Sequence, residues 1–101
     1  MIAEFSVFPV GRGAHLSQYV APLFELIEKS GLEYRLTPMG TVVEGEVDEV
    51  FELVRACHKK MAEDSERVIT SLKIDDFKGA KGRLNGKIES VEKHLGREVK
   101  K

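Results

Sequence analysis

Apolar and polar residues alternate with period two over residues 2–9. Ala3, Phe5 and Val7 fall on one side, and Glu4, Ser6 and Phe8 on the other. This predicts a strand with one apolar and one mixed face, broken by Gly11-Arg12-Gly13. The period then lengthens. Val20, Leu23, Phe24 and Ile27 recur at i, i+3, i+4 and i+7, which predicts a helix opened by Ser17 as N-cap and closed by Gly31. Alternation returns from Leu32 to Thr37, with Leu32, Tyr34 and Leu36 opposed to Glu33, Arg35 and Thr37. Pro38 and Gly40 reverse the chain, and Thr41-Val42-Val43-Glu44 forms a short strand ended by Gly45. A long helix follows over about 47–62. Its predicted inner face is Val47, Val50, Phe51, Val54, Cys57 or His58, and Met61, and Asp48 and Glu49 suit the positive end of its dipole. Arg67 to Asp75 reads as a fourth strand, with Val68, Thr70, Leu72 and Ile74 opposed to Arg67, Ile69, Ser71 and Lys73. Beyond a loop bracketed by Gly79 and Gly82, Leu84, Ile88, Val91 and Leu95 form the stripe of a last helix that stops at Gly96.

The order βαββαβ plus a C-terminal helix predicts an α+β, ferredoxin-like sandwich forming one domain over residues 1–101. Two helices cover one sheet face. The other face then carries Glu4, Ser6, Phe8, Arg35, Thr37, Glu44, Arg67, Ser71 and Lys73, with Val42 and Ile69 among them. Such a mixture is too apolar for plain exposure and too polar for a dry core. It predicts self-association around a polar pocket.

Composition narrows the function classes. Sixteen Lys and Arg against seventeen Asp and Glu give a net charge of −1, which offers no general footprint for nucleic acid or an acidic membrane. No apolar run approaches the roughly 18 residues of a membrane helix. The start MIAEFSVFPV lacks a basic region and a signal-peptide core, so a cytoplasmic location is expected. The single Cys57 excludes an internal disulfide.

Candidate chemistry centres on Glu44, a carboxylate fixed on a short strand between two sharp breaks. Either it accepts hydrogen bonds from a ligand, or it is a surface glutamate pairing with Arg35, Arg67 or Lys73. His15, His58 and His94 lie on separate segments without metal-ligand spacing, so no metal is expected. No Gly-x-Ser-x-Gly elbow or plausible triad is present. Gly11-Arg12-Gly13 before a helix resembles the anion loop of acylphosphatases, but their partner asparagine is missing; the only one is Asn85, near the last helix. RNA-recognition modules stack bases on aromatic residues of the central strands, and only Phe8 could serve here.

Taken together, the motifs resemble a small family of thiamine-binding proteins related to the YkoF-like proteins. The residues that carry the likeness are Pro9-Val10-Gly11, Ser17-x-Tyr19-Val20, Ser30-Gly31-Leu32-x-Tyr34, Pro38-Met39-Gly40-Thr41-x-x-Glu44-Gly45-Glu46, Arg67-Val68 and Ser71-Leu72-Lys73-Ile74-Asp75. Phe77 departs from the basic residue expected in close relatives. The resemblance implies a ferredoxin-like fold, a homotetramer built as a dimer of dimers, and binding of thiamine or its hydroxymethylpyrimidine moiety at an oligomer interface. It implies no catalytic residues and no cofactor.

An aminopyrimidine needs partners for its ring nitrogen and exocyclic amine. Glu44, with Thr41 or Thr37, can accept; Ser6 or Ser71 can donate; Met39 and Phe8 offer soft or flat contact. The expected function is a non-enzymatic carrier or sensor. The alternative is a regulatory or structural oligomer akin to ACT domains, which bind small ligands at loop and helix edges.

Overall fold

A computed structural model describes residues 1–101. Four strands, β1 (Ile2–Pro9), β2 (Glu33–Thr37), β3 (Gly40–Glu44) and β4 (Val68–Asp75), form one antiparallel sheet in the order β2-β3-β1-β4. The helices are α1 (Ser17–Val20), α2 (Leu23–Lys29), α3 (Val47–Ala62) and α4 (Arg83–Leu95). This is the ferredoxin-like arrangement with an added C-terminal helix. No helix is long and apolar enough to cross a membrane.

The core lies between the sheet and the α2–α3 layer. Ala3, Phe5, Val7 and Val43 meet Leu23 and Ile27 of α2 and Val50, Leu53, Val54, Cys57 and Met61 of α3. Burial of the Cys57 thiol pushes its pKa up to about 11, so it packs as a small hydrophobe.

Two local expectations change. The helix over residues 17–29 is two pieces, because Pro22 has no N–H to continue the ladder; Ala21 N–H still bonds Ser17 O at 2.9 Å. Ser17 is the first helical residue rather than the cap, a place taken by Leu16. On α3, Leu53 is buried while Phe51, Val47 and His58 are exposed. At about 100° per residue, Phe51 lies a quarter-turn from the Val50–Val54–Cys57 line, and Leu53 falls on its other flank.

Register places the mixed face as its alternation predicts. Glu4 is opposite Val42 on one side and Lys73 on the other, Ser6 opposite Ser71, and Phe8 opposite Ile69. One end of this face is not free, however. The first turn of α4 is tied to Glu44, Asp75 and Arg35, and Leu84 is buried outside the main core.

Candidate functional site

The site begins with the β2–β3 hairpin. Thr37 Oγ1 donates to Gly40 O at 2.9 Å and accepts from Met39 N–H at 3.2 Å, so this hydroxyl locks the turn. Gly40 is required by close approach, since a Cβ there would lie 2.8 Å from Phe5 O. Because β3 begins at this hairpin, it reaches only part of the way along β1. Pairing of β1 with β3 runs only from Ile2↔Glu44 to Phe5↔Thr41, whereas pairing with β4 continues to Pro9↔Val68. From Ser6 onward, β1 has a strand on one side alone.

A cavity of about 190 Å³ occupies the resulting notch. Consecutive residues Phe5, Ser6, Val7 and Phe8 all line it, which sets it at the edge of the strand rather than over one face. Val20, Leu23, Phe24 and Ile27 close its helix side, and the hairpin residues from Leu36 to Thr41 close its end. Thr41 is only 6% exposed, the one buried residue of the chain with a polar side chain. A largely apolar pocket with a buried hydroxyl and a bare strand edge suits a flat ring with donors and acceptors on its rim.

A second pocket of about 130 Å³ opens on the mixed face. Glu4, Ser6, Ser71, Lys73 and Met39 line it, and it shares Phe5, Ser6 and Met39 with the first. The structure thus brings Ser6, Phe8, Thr37, Met39 and Thr41 to one cavity and Ser71 to its neighbour. Thr41 points to the helix side of the sheet and Glu44 to the other, as their odd separation along one strand requires. The two therefore do not converge on a ligand.

Glu44 sits at the opposite end of the sheet, along a groove of about 660 Å³ that also carries Glu33, Glu46, Glu49 and Phe77. Its carboxylate accepts Arg83 N–H at 3.0 Å and Leu84 N–H at 3.1 Å, the first two amides of α4. These bonds, led by that from Arg83, hold its pKa below the usual 4.5. Beside it, Asp75 accepts from Arg83 at 2.7 Å and Lys87 at 2.9 Å, and these cations hold its carboxyl well below the usual range. Arg83, its own pKa raised by Asp75, lies over the Phe77 ring at 5.5 Å. Arg35 donates to Asn85. Glu44 is thus a long-range helix cap. One signal in the sequence pointed to it: α4 starts at Gly82-Arg83 with no Ser, Thr or Asp at its cap and no acid in its first turn, so its free amides need an acceptor from elsewhere.

No three His, Cys, Asp or Glu side chains converge to hold a metal. Arg12 stacks on Tyr19 at 5.6 Å. Sequence reasoning also missed the apolar wall of the cavity, because Val20, Leu23, Phe24 and Leu36 read simply as core.

Comparison with known proteins places this geometry in context. The model of the family described as thiamine-binding protein matches residues 3–92. A UPF0045 protein of Methanothermobacter thermautotrophicus is 41% identical over 96 residues, covering 92% of this chain and 97% of that one. UPF0045 protein MJ1052 of Methanocaldococcus jannaschii is 35% identical over 91 residues, covering 90% and 91%. The crystal structure of MJ1052 superimposes with a TM-score of 0.83 at 36% identity, over 89% of this chain and 93% of that one. TM0486 of Thermotoga maritima shares the fold with a TM-score of 0.77 at 23% identity, over 89% and 96%. By the match across nearly its whole length, the chain belongs to the thiamine-binding protein family.

Proposed function

We propose that this protein binds the aminopyrimidine ring of thiamine, or free hydroxymethylpyrimidine, in the notch cavity, as a carrier or sensor without catalysis. The observation that carries the reading is the buried Thr41 hydroxyl lining an apolar cavity beside the one-sided stretch of β1. At about 190 Å³ the cavity is smaller than the roughly 300–1,000 Å³ that takes a whole drug-sized ligand, so it suits a single ring. An aminopyrimidine presents a donor amine beside an acceptor nitrogen, the same alternation that a strand edge offers. The polar side chains that line the cavity, Ser6, Thr37 and Thr41, are all hydroxyls, which suits holding a ligand more than transforming it. Membership of the family supports the ligand class, and TM0486 is a candidate thiamine biosynthesis/salvage protein.

Self-association belongs to the same reading. The mixed face leaves Ile69 exposed and Phe8 and Val42 half-buried, and a second copy packed on it encloses the Glu4–Ser71 pocket between subunits. An ACT-like regulator that binds at loop edges is favoured only by the wide groove around Glu46 and Phe77.

Thr41→Val tests the site, because it deletes the hydroxyl and keeps the shape. Affinity for hydroxymethylpyrimidine should fall about two- to tenfold, the worth of one net hydrogen bond, with no loss of thermal stability. Equal affinity in calorimetric titration places the ring elsewhere.

A further inference from the structure

A third pocket, of about 80 Å³, lies between the α1–α2 junction and the C-terminal end of α3. Gln18 and Leu23 line it from one side, and Lys60, Met61, Asp64 and Ser65 from the other. Since about 10–15 Å³ of such volume holds one water, this pocket takes a few heavy atoms and no drug-sized ligand. Three features mark it. Ser65 has a buried Oγ with no hydrogen-bond partner, an uncommon state for a polar atom shut off from solvent. Opposite charges share the same small space. Lys60 has only a weak tie, to Glu63 at 3.5 Å across the exposed surface, and Asp64 takes part in none of the five salt bridges. Finally, Leu23 is only 4% exposed and is a wall of both this pocket and the notch cavity.

We propose that this pocket is a second binding site, for a small amino-acid zwitterion, and that Leu23 couples it to the notch. An ion of one sign would face a like charge on one wall, whereas a ligand carrying both charges a few bonds apart satisfies both. Asp64 and the Ser65 hydroxyl accept from its ammonium group, at the end of the 16-residue α3 where the helix dipole favours a cation. Lys60 and the Gln18 amide donate to its carboxylate. Met61 and Leu23 restrict it to a small or absent side chain. The coupling follows from position. Leu23 opens α2 directly after Pro22, at the break with α1. A ligand that fills the pocket fixes Leu23, and with it the helix-side wall of the notch, before a ring arrives there, which lowers the ordering cost of ring binding. The site stands on its own observations, and the coupling rests on the ring-binding reading above.

The test titrates glycine, acetate and methylamine into the whole protein, followed by amide chemical shifts. Hydroxymethylpyrimidine is then titrated calorimetrically with and without saturating glycine. Glycine should bind in the millimolar range, ordinary for so few heavy atoms, with shifts confined to residues 18–23 and 60–65. Acetate and methylamine, each lacking one charge, should bind about tenfold more weakly. Asp64→Asn should weaken glycine about two- to tenfold. Ser65→Ala should weaken it too without loss of thermal stability, because the hydroxyl it deletes has no partner to lose. Saturating glycine should tighten the pyrimidine about fivefold, and the pyrimidine should tighten glycine by the same factor. If glycine shifts nothing, water alone fills the pocket and the proposal falls. It falls equally if acetate binds as well as glycine, or if Asp64→Asn leaves glycine affinity unchanged. Glycine binding with an unchanged pyrimidine affinity overturns the coupling. A parent that binds glycine but no pyrimidine sinks the ring reading and leaves the glycine site standing.

Discussion

Gly40 shows how much one residue decides. Its backbone passes so near Phe5 O that a methyl group meets a carbonyl, and a carbonyl in the central strand cannot swing aside. Gly40→Ala should cost about 1–3 kcal/mol in urea unfolding, the usual range for an overpacked site. It should also weaken pyrimidine binding, because the hairpin must shift away from β1. An unaltered midpoint overturns this close approach of Gly40 to β1. Not every residue was equally legible. Thr37 and Met39 could be named from the turn they occupy, since Pro38 and Gly40 announce a reversal. For Glu44 the sequence shows only that the start of α4 lacks an acceptor, and not which residue supplies it, because the capped amides lie about 40 positions along the chain and have no sequence identity of their own.

At the scale of elements, α4 is fastened by charge more than by apolar contact. Leu84 is buried, but Val91 is 54% and Leu95 52% exposed. Glu44 caps the first amides, and Asp75 binds Arg83 and Lys87. Both carboxyls are lowered in pKa by these contacts. Their stabilisation is therefore complete above the ordinary values of 4.5 and 3.8, and is lost as pH falls below them toward the lowered ones. Acid should release α4 before the sheet unfolds, seen as chemical-shift changes confined to residues 83–95. Glu44→Gln should reproduce part of this at neutral pH, at about the 0.5–2 kcal/mol of a lost cap, and leave pyrimidine binding intact. If that variant loses the ligand and keeps the helix, Glu44 is a binding residue after all. The strands were legible because a period of two assigns every residue to a face, and the register confirms those faces pair by pair. Helix boundaries blurred where Pro22 cut a continuous apolar stripe, which periodicity alone cannot sense.

The whole molecule is longer than its size requires. Its radius of gyration is 15.1 Å, against about 13 Å for a compact chain of 100 residues, and its axes span 47 × 29 × 20 Å. The exposed half of the α4 stripe and the apolar members of the mixed face are surfaces that a second copy would cover. Sedimentation at micromolar concentration should give a homo-oligomer, and a stable monomer overturns that assembly.

The short reach of β3 along β1 has a further consequence. A sheet position without a strand is a vacancy whose dimensions are set by the backbone, about 4.8 Å from β1 and lined by alternating donors and acceptors. A flat heteroaromatic ring seated there, as proposed above, would stand in for the missing peptide and extend the ladder with atoms the chain never encoded. The pattern it must match belongs to the main chain. Substitutions along β1 can then reshape the walls of the slot while the main-chain donors and acceptors at its rim stay the same.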